Sequence, residues 1–227
     1  MPYQSLLDVV RKWNPDNVEI PSTFKETLQH FDFGNPYEVK LAEKYRNAEV
    51  PFKLFNVSDF NYVSTLWTDA YLLKNLPTIH HQTHVELSTN NHFMFWSYRG
   101  VRRFDNFVPP TKLISDLPFE EWLKIAKKAD IEKITNSSEH YYFMLGVDKL
   151  DNGKSFVSRD LSMFSTKKTN FFISVPQANK GIQCRFGMRG VIAEAHYDSG
   201  RNMVAMLKGL YILTVPFHDA GVLILDV

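Results

Sequence analysis

The stretch Cys184-Arg185-Phe186-Gly187-Met188-Arg189-Gly190-Val191-Ile192-Ala193-Glu194-Ala195-His196-Tyr197-Asp198 decides how this chain is read. Ile182 to Gly187 and Val191 to Asp198 are short β-type runs, and the Gly-Met-Arg-Gly interval joining them carries turn residues. Side chains alternate along a strand, so Val191, Ala193 and Ala195 share one face, with Glu194, His196 and Asp198 on the other. Polar side chains are costly to bury unpaired, so this second face is expected to meet water or a functional cavity. Because strands twist, the ligand face need not extend as far as Glu194. His196 and Asp198 together offer an imidazole nitrogen and a carboxylate oxygen to one metal. That is two thirds of the 2-His-1-carboxylate arrangement that suits Fe(II). A bare His-x-Asp triplet also arises by chance, and a surface or core pair is its bland reading.

Outward from this stretch the chain is rich in short strands. Tyr141 to Val147, Phe171 to Val175, Asn202 to Leu207, Tyr211 to Val215 and Val222 to Leu225 all read as strands, as do Thr83 to Ser88 and His92 to Tyr98. Strands at such close spacing suggest a sandwich or barrel. One amphipathic helix interrupts them, Pro118 to Ala129, with Phe119, Trp122, Leu123 and Ile125 on its apolar side. Residues 1–50 read as a helical N-terminal extension, including a helix from Thr23 to His30 capped by Ser22 and another from Pro36 to Ala48. Pro51 to Val57 is expected to be a strand, followed by helices at Ser58 to Leu66, with Ser58 as the cap, and Asp69 to Leu76.

Composition bounds the rest. The 227 residues suffice for one domain with a sizeable core, and 44% of them are hydrophobic and 14% aromatic, which is a globular composition. Lys and Arg number 26 against 25 Asp and Glu, a formal net charge of +1, so no overall field draws the chain to nucleic acid or an anionic membrane. Cys184 is the single cysteine, which excludes an intrachain disulfide and Cys-based zinc sites and points to a reducing compartment. With no signal-like or membrane-spanning apolar run, an intracellular protein of the cytoplasm or nucleus is expected.

The residues from Cys184 to Gly209 resemble a known family in more than the metal triplet. Gly187-Met188-x-Gly190, Ala195-His196-Tyr197-Asp198, Asn202, Ala205 and Lys208-Gly209 resemble the core of the JmjC and cupin-like 2-oxoglutarate oxygenases, especially the factor-inhibiting-HIF-type protein hydroxylases. Weaker likeness extends upstream through Pro51-Phe52-Lys53-Leu54, Trp67-Thr68-Asp69-x-Tyr71-Leu72, Asn90 to Trp96, Phe119 to Leu123 and His140 to Phe143, so it spans residues 50–216. The resemblance implies a double-stranded β-helix of mainly β structure with flanking helices, residues 51–227 forming its core. It implies a dioxygenase with Fe(II) as cofactor and 2-oxoglutarate as cosubstrate, hydroxylating a protein or peptide side chain. His196 and Asp198 would bind the metal, and Tyr142 and Asn202 would line the cosubstrate pocket.

Three departures from the family pattern set an alternative beside that expectation. The lysine that often grips the distal carboxylate of 2-oxoglutarate is replaced by the run Gly209-Leu210-Tyr211, and Lys208 faces the opposite way on a strand. Ala193 stands where a threonine commonly contacts the cosubstrate. The second histidine normally lies many residues later, whereas only His218 follows Asp198, in a turn-like Pro216 to Gly221 segment. The chain is therefore read as C-terminally truncated relative to the family, with His218 a poor third ligand. Val222 to Leu225 would cover part of the exposed barrel edge or mediate a homodimer. The alternative function is a catalytically inactive cupin-like binding protein, and a further one is metal-dependent lyase or isomerase chemistry.

Other constellations carry less. His80, His81, His84 and His92 fall within thirteen residues but lack the spacing of a closed zinc site, and His92 reads as a satisfied, partly buried histidine. Cys184 reads as an inert core thiol. No Gly-x-Ser-x-Gly elbow or phosphate-binding glycine loop is present. Tyr98, Arg99, Arg102 and Arg103 could form a rim that contacts an acidic peptide, but a solvated basic turn is their default reading.

Overall fold

Asn35 and Pro36 start the first helix in the manner their chemistry favours. Asn35 Oδ1 accepts from the Tyr37 amide at 3.0 Å, and Pro36, which has no amide to satisfy, occupies the first helical turn. The computed structural model describes residues 28–76, 83–94, 108–133, 139–148, 151, 153–164, 168–194, 196, 202–209 and 222–225. In it, strand β1 (Gln29–Asp32), helix α1 (Pro36–Asn47) and strand β2 (Phe52–Phe55) form a β-α-β unit, with β1 and β2 parallel. Gln29 and His30 lie in that strand, which corrects the expected Thr23 to His30 helix. It also corrects the all-helical reading of residues 1–50; Thr23 to Thr27 lie outside the described residues. The cause is tertiary: Phe31 is buried, and its ring meets Tyr45 of α1 at 5.1 Å and Phe52 of β2 at 5.7 Å.

Helices α2 (Ser58–Leu66) and α3 (Asp69–Asn75) follow, near their expected bounds. The cap of α2 is Val57, however, with no side-chain cap bond, so Ser58 is the first helical residue rather than the cap. Burial wins that position, because Val57 and Phe60 both enter the core. Thr68 does cap α3, its hydroxyl accepting from the Tyr71 amide at 3.2 Å.

Next come β3 (Thr83–Ser88), β4 (His92–Phe93), β5 (Lys112–Ile114), α4 (Phe119–Glu132), β6 (His140–Val147), α5 (Phe156–Asp160) and β7 (Ile182–Gly187). An antiparallel sheet runs β5-β3-β6-β7. Phe143, Leu145 and Val147 of β6 are buried on one face, where Phe119 of α4 meets Phe143 at 5.3 Å and Phe186 at 5.2 Å. The other face carries His84, Glu86, Tyr142, Met144, Arg185 and Gln183, since Glu86 pairs with Tyr142, His84 and Arg185 with Met144, and Gln183 with Gly146.

Phe171 to Val175 is irregular, against the expectation of a strand. Asn170 Oδ1 accepts from the amides of Phe172 (2.8 Å) and Ile173 (2.7 Å), the donors a ladder would need. The Phe171 carbonyl in turn takes the Arg46 guanidinium.

Strands β8 (Ile192–Ala193), β9 (Asn202–Ala205) and β10 (Val222–Leu225) complete the topology. β8 pairs with β4 in a parallel two-stranded ribbon. The second four-stranded sheet has the order β1-β2-β10-β9, with every neighbouring pair parallel. β10 is thus an inner strand, bonded to β2 on one side and β9 on the other. The protein is a mixed α/β fold, with five α-helices among the described residues and one sheet antiparallel throughout. No helix among those residues is long and apolar enough to cross a membrane.

Candidate functional site

The chain leaves the antiparallel sheet at Gly187 and reaches β8 through a tight turn. Met188 anchors that turn: it is buried, and its sulfur accepts from the Tyr141 amide at 3.1 Å. Gly190 takes φ of 77°, a left-handed conformation that side chains disfavour, and its carbonyl accepts from Asn91 Nδ2 at 2.7 Å. Asn91, itself at φ 60°, and Phe93 then receive β8 along the ladder. The Ile192 amide donates to the Asn91 carbonyl and the Glu194 amide to the Phe93 carbonyl, each at 2.9 Å.

Phe93 and Tyr142 join this ribbon to the sheet. Their ring centroids are 5.4 Å apart and tilted by 57°, and Phe93 is buried. The Arg185 guanidinium lies 6.0 Å from the Tyr142 ring on the same face, a cation-π contact. Glu86, opposite Tyr142, accepts from the Thr111 hydroxyl at 3.2 Å. The expected pocket residue Tyr142 therefore sits beside the ribbon that leads to His196, in the company of one cation and one acid.

His196 is exposed, and its Nδ1 lies 2.7 Å from the Glu194 carbonyl oxygen. A carbonyl only accepts, so the proton of this bond is on Nδ1, and in the neutral ring the lone pair is on Nε2. Glu194 also engages a second histidine: its carboxylate meets His92 Nδ1, with the two side chains 36% and 31% exposed. His92 is partly buried and partnered, as expected, and Glu194 proves to be a working member of the polar face. The expected strand from Val191 to Asp198 is β-paired only at Ile192–Ala193 among the described residues, and Ala193 is exposed rather than inward-facing. Asp198 and His218, like His80, His81 and the basic turn at Tyr98 to Arg103, lie outside the described residues.

Asn202 belongs to the parallel sheet and Tyr142 to the antiparallel one. Asn202 opens β9, is exposed, and pairs in register with Val222. Lys208 is exposed and Gly209 has φ of 100°. His84 is exposed on β3 and borders an open groove of about 340 Å³ with Gly146, Val147, Asp148, Lys180 and Gln183. That groove is at the far end of β6, four residues from Tyr142 or roughly 13 Å along a strand. Cys184 is buried on β7, and burial pushes its thiol up to about 12, so it is neither a nucleophile nor a ready metal ligand.

Two members of this site escaped the sequence reading: the His92–Glu194 contact and Arg185. Nothing local signals a parallel pairing between segments 102 residues apart. Arg185 could have been found by carrying the alternation of β7 across the ladder to Tyr142. Compared with known proteins, the chain matches no family model, and no curated protein is significantly similar to it.

Proposed function

We propose that this protein is an Fe(II)- and 2-oxoglutarate-dependent oxygenase built on a double-stranded β-helix, hydroxylating a side chain of a protein or peptide. The observation that carries the reading is the His196 imidazole, whose Nδ1–H is committed to the Glu194 carbonyl so that Nε2 is the nitrogen equipped to bind a metal. His196 thus fits the metal by its tautomer, and Asp198, two residues on, supplies the hard oxygen donor that Fe(II) accepts alongside imidazole.

When bound, Fe(II) with 2-oxoglutarate and O2 supplies the oxidising chemistry: the cosubstrate becomes succinate and CO2, and a substrate C–H becomes C–OH. His196 and Asp198 would hold the ion. Tyr142 would contribute its hydroxyl to the cosubstrate pocket, its ring packed against Phe93. Arg185 brings a positive charge to the same face and offsets the missing lysine as a partner for an anionic cosubstrate. Asn202 is the polar residue that would approach from the parallel sheet. An exposed His196 beside open sheet faces suits a substrate as large as a polypeptide segment rather than an engulfed metabolite.

The test is anaerobic Fe(II) titration with and without 2-oxoglutarate, then succinate measurement under oxygen. The expected result is saturable iron binding that 2-oxoglutarate tightens, and succinate well above a His196→Ala control. Absence of both sinks the enzyme reading, and the cupin-like binding protein then takes its place.

A further inference from the structure

We propose that His92 is a positioning residue for His196, acting through Glu194. The ligand role of His196 rests on the oxygenase reading above; the positional role of His92 rests on the geometry alone. The ladder between β4 and β8 makes its last bond from the Glu194 amide to the Phe93 carbonyl. Beyond that bond, the Glu194 carboxylate meets His92 Nδ1, and His196 Nδ1 meets the Glu194 carbonyl.

Glu194 is therefore gripped from two directions at the point where its carbonyl sets the His196 ring. Its amide is held by the backbone of β4 and its carboxylate by a side chain of the same strand. β4 is in turn an anchored platform, since Phe93 is buried against Tyr142 and Asn91 holds the Gly190 carbonyl. His92 alternates away from Phe93 and so faces Glu194 while its neighbour faces the core. Without the His92 contact, the tie from Glu194 to β4 that remains is its amide bond to Phe93, and the following peptide, which carries the Glu194 carbonyl, is held less firmly. The His196 ring would then lose the acceptor that selects its Nδ1–H tautomer. Side chains that orient a metal-bound imidazole work in this indirect way.

The experiment uses the whole chain with two readouts. The first is the metal-free long-range 1H–15N spectrum of the imidazoles, with His196 assigned by its loss in His196→Ala. Wild type is expected to show His196 as the Nδ1–H tautomer, and His92→Ala to show mixed tautomers. His92→Gln, whose amide can still donate to Glu194, should recover the wild-type pattern.

The second readout is titration with Co(II) alone, followed by its visible absorption. His92→Ala is expected to weaken Co(II) binding by about tenfold, in the range typical of residues that orient a ligand, and His92→Gln to restore most of it. Near-ultraviolet circular dichroism checks that the Phe93–Tyr142 packing survives. An unchanged His196 tautomer in His92→Ala overturns the proposal, as does an unchanged Co(II) affinity in a protein that binds it. If wild type takes up no Co(II) yet the tautomer shifts, the positioning of His196 by His92 stands and the oxygenase reading falls.

Discussion

Asp160 is the residue whose loss the fold should feel most sharply, because one carboxylate satisfies donors from two other elements. Its Oδ2 accepts from Trp67 Nε1 at 2.9 Å and from the Tyr71 hydroxyl at 2.7 Å, and its side chain is only 6% exposed. Arg159 adds an Nε contact at 3.4 Å, but that side chain is 57% exposed, so solvent screens it to roughly 0–1 kcal/mol. Asp160→Ala strands both donors. An orphaned buried donor costs roughly 1–3 kcal/mol, and Trp67, at 7% exposure, should bear most of that, while the half-buried Tyr71 regains water in part. The expected loss is about 3 kcal/mol for Asp160→Ala, and about 1 kcal/mol for Asp160→Asn, which keeps one oxygen acceptor. For a chain of this size that corresponds to a Tm lower by about 6–12 °C for the alanine variant. Urea unfolding followed by tryptophan fluorescence and circular dichroism gives the free energies. A second signature is alkaline. Burial first, and then the Asp160 hydrogen bond, raise the Tyr71 pKa above its usual 10.0. A raised folded pKa means stability present below the unfolded value and lost as pH climbs through the folded one, and Asp160→Ala should blunt that loss. An alanine variant within 1 kcal/mol of wild type, with the alkaline limb unchanged, would refute the reasoning.

Three further outcomes follow from individual groups. Cys184, with a thiol pushed up to about 12, should be ionised in only about one molecule in ten thousand at pH 8, so iodoacetamide should label it in guanidinium and not in native protein; rapid native labelling contradicts this. Burial raises the Asp151 pKa, but hydrogen bonds from the Ser158 hydroxyl and from the Ser155 amide and hydroxyl outweigh it and hold the group below 3.8. Its stabilisation is present above the unfolded pKa and disappears as pH falls through the folded one, so the Tm gap between wild type and Asp151→Asn should close as pH falls below the usual carboxylate value of 3.8. A gap that widens on acidification would show the sign to be wrong. Lys133 ends α4 in the left-handed region, at φ 49° and ψ 50°, and is exposed. Lys133→Gly should therefore raise stability by roughly 0.5 kcal/mol in thermal unfolding, and a Tm decrease would mean the Lys133 side chain matters more than its backbone.

Elements with strong local periodicity were legible from residues alone. Ile182–Gly187, Thr83–Ser88 and α4 form where the pattern puts them, since each has one face filled by residues of the right size and shape. Elements that depend on distant partners were not. β1 is a strand because β2 receives it and Phe31 has rings to pack on, and neither fact is written in residues 23–30. Phe171 to Val175 is apolar enough for a strand, yet a single Asn170 side chain draws its amides into a turn. The Trp67-Thr68-Asp69-x-Tyr71 motif was visible without its reason: Trp67 and Tyr71 converge on Asp160, some ninety residues later, a partner that no spacing rule announces. The same limit applied at the site, where Glu194 could be placed on the polar face but not paired with His92.

The mixture of fixed and exposed groups around His196 has a physical logic. Met188, Phe93 and the Phe143 face of β6 are buried and close-packed, so the base of the site moves little. His196, Ala193 and Arg185 stand on the solvent side of that base, and only two residue pairs of ladder connect β8 to β4. Short ladders open at low free energy, so the ribbon alone cannot hold an imidazole to the tolerance that the proposed metal site would demand. Precision at His196 must then come from bonds outside the ladder. Two such bonds meet at Glu194, one on its carbonyl and one on its carboxylate. Glu194, rather than the strand that bears it, is the hinge on which the geometry of this site turns.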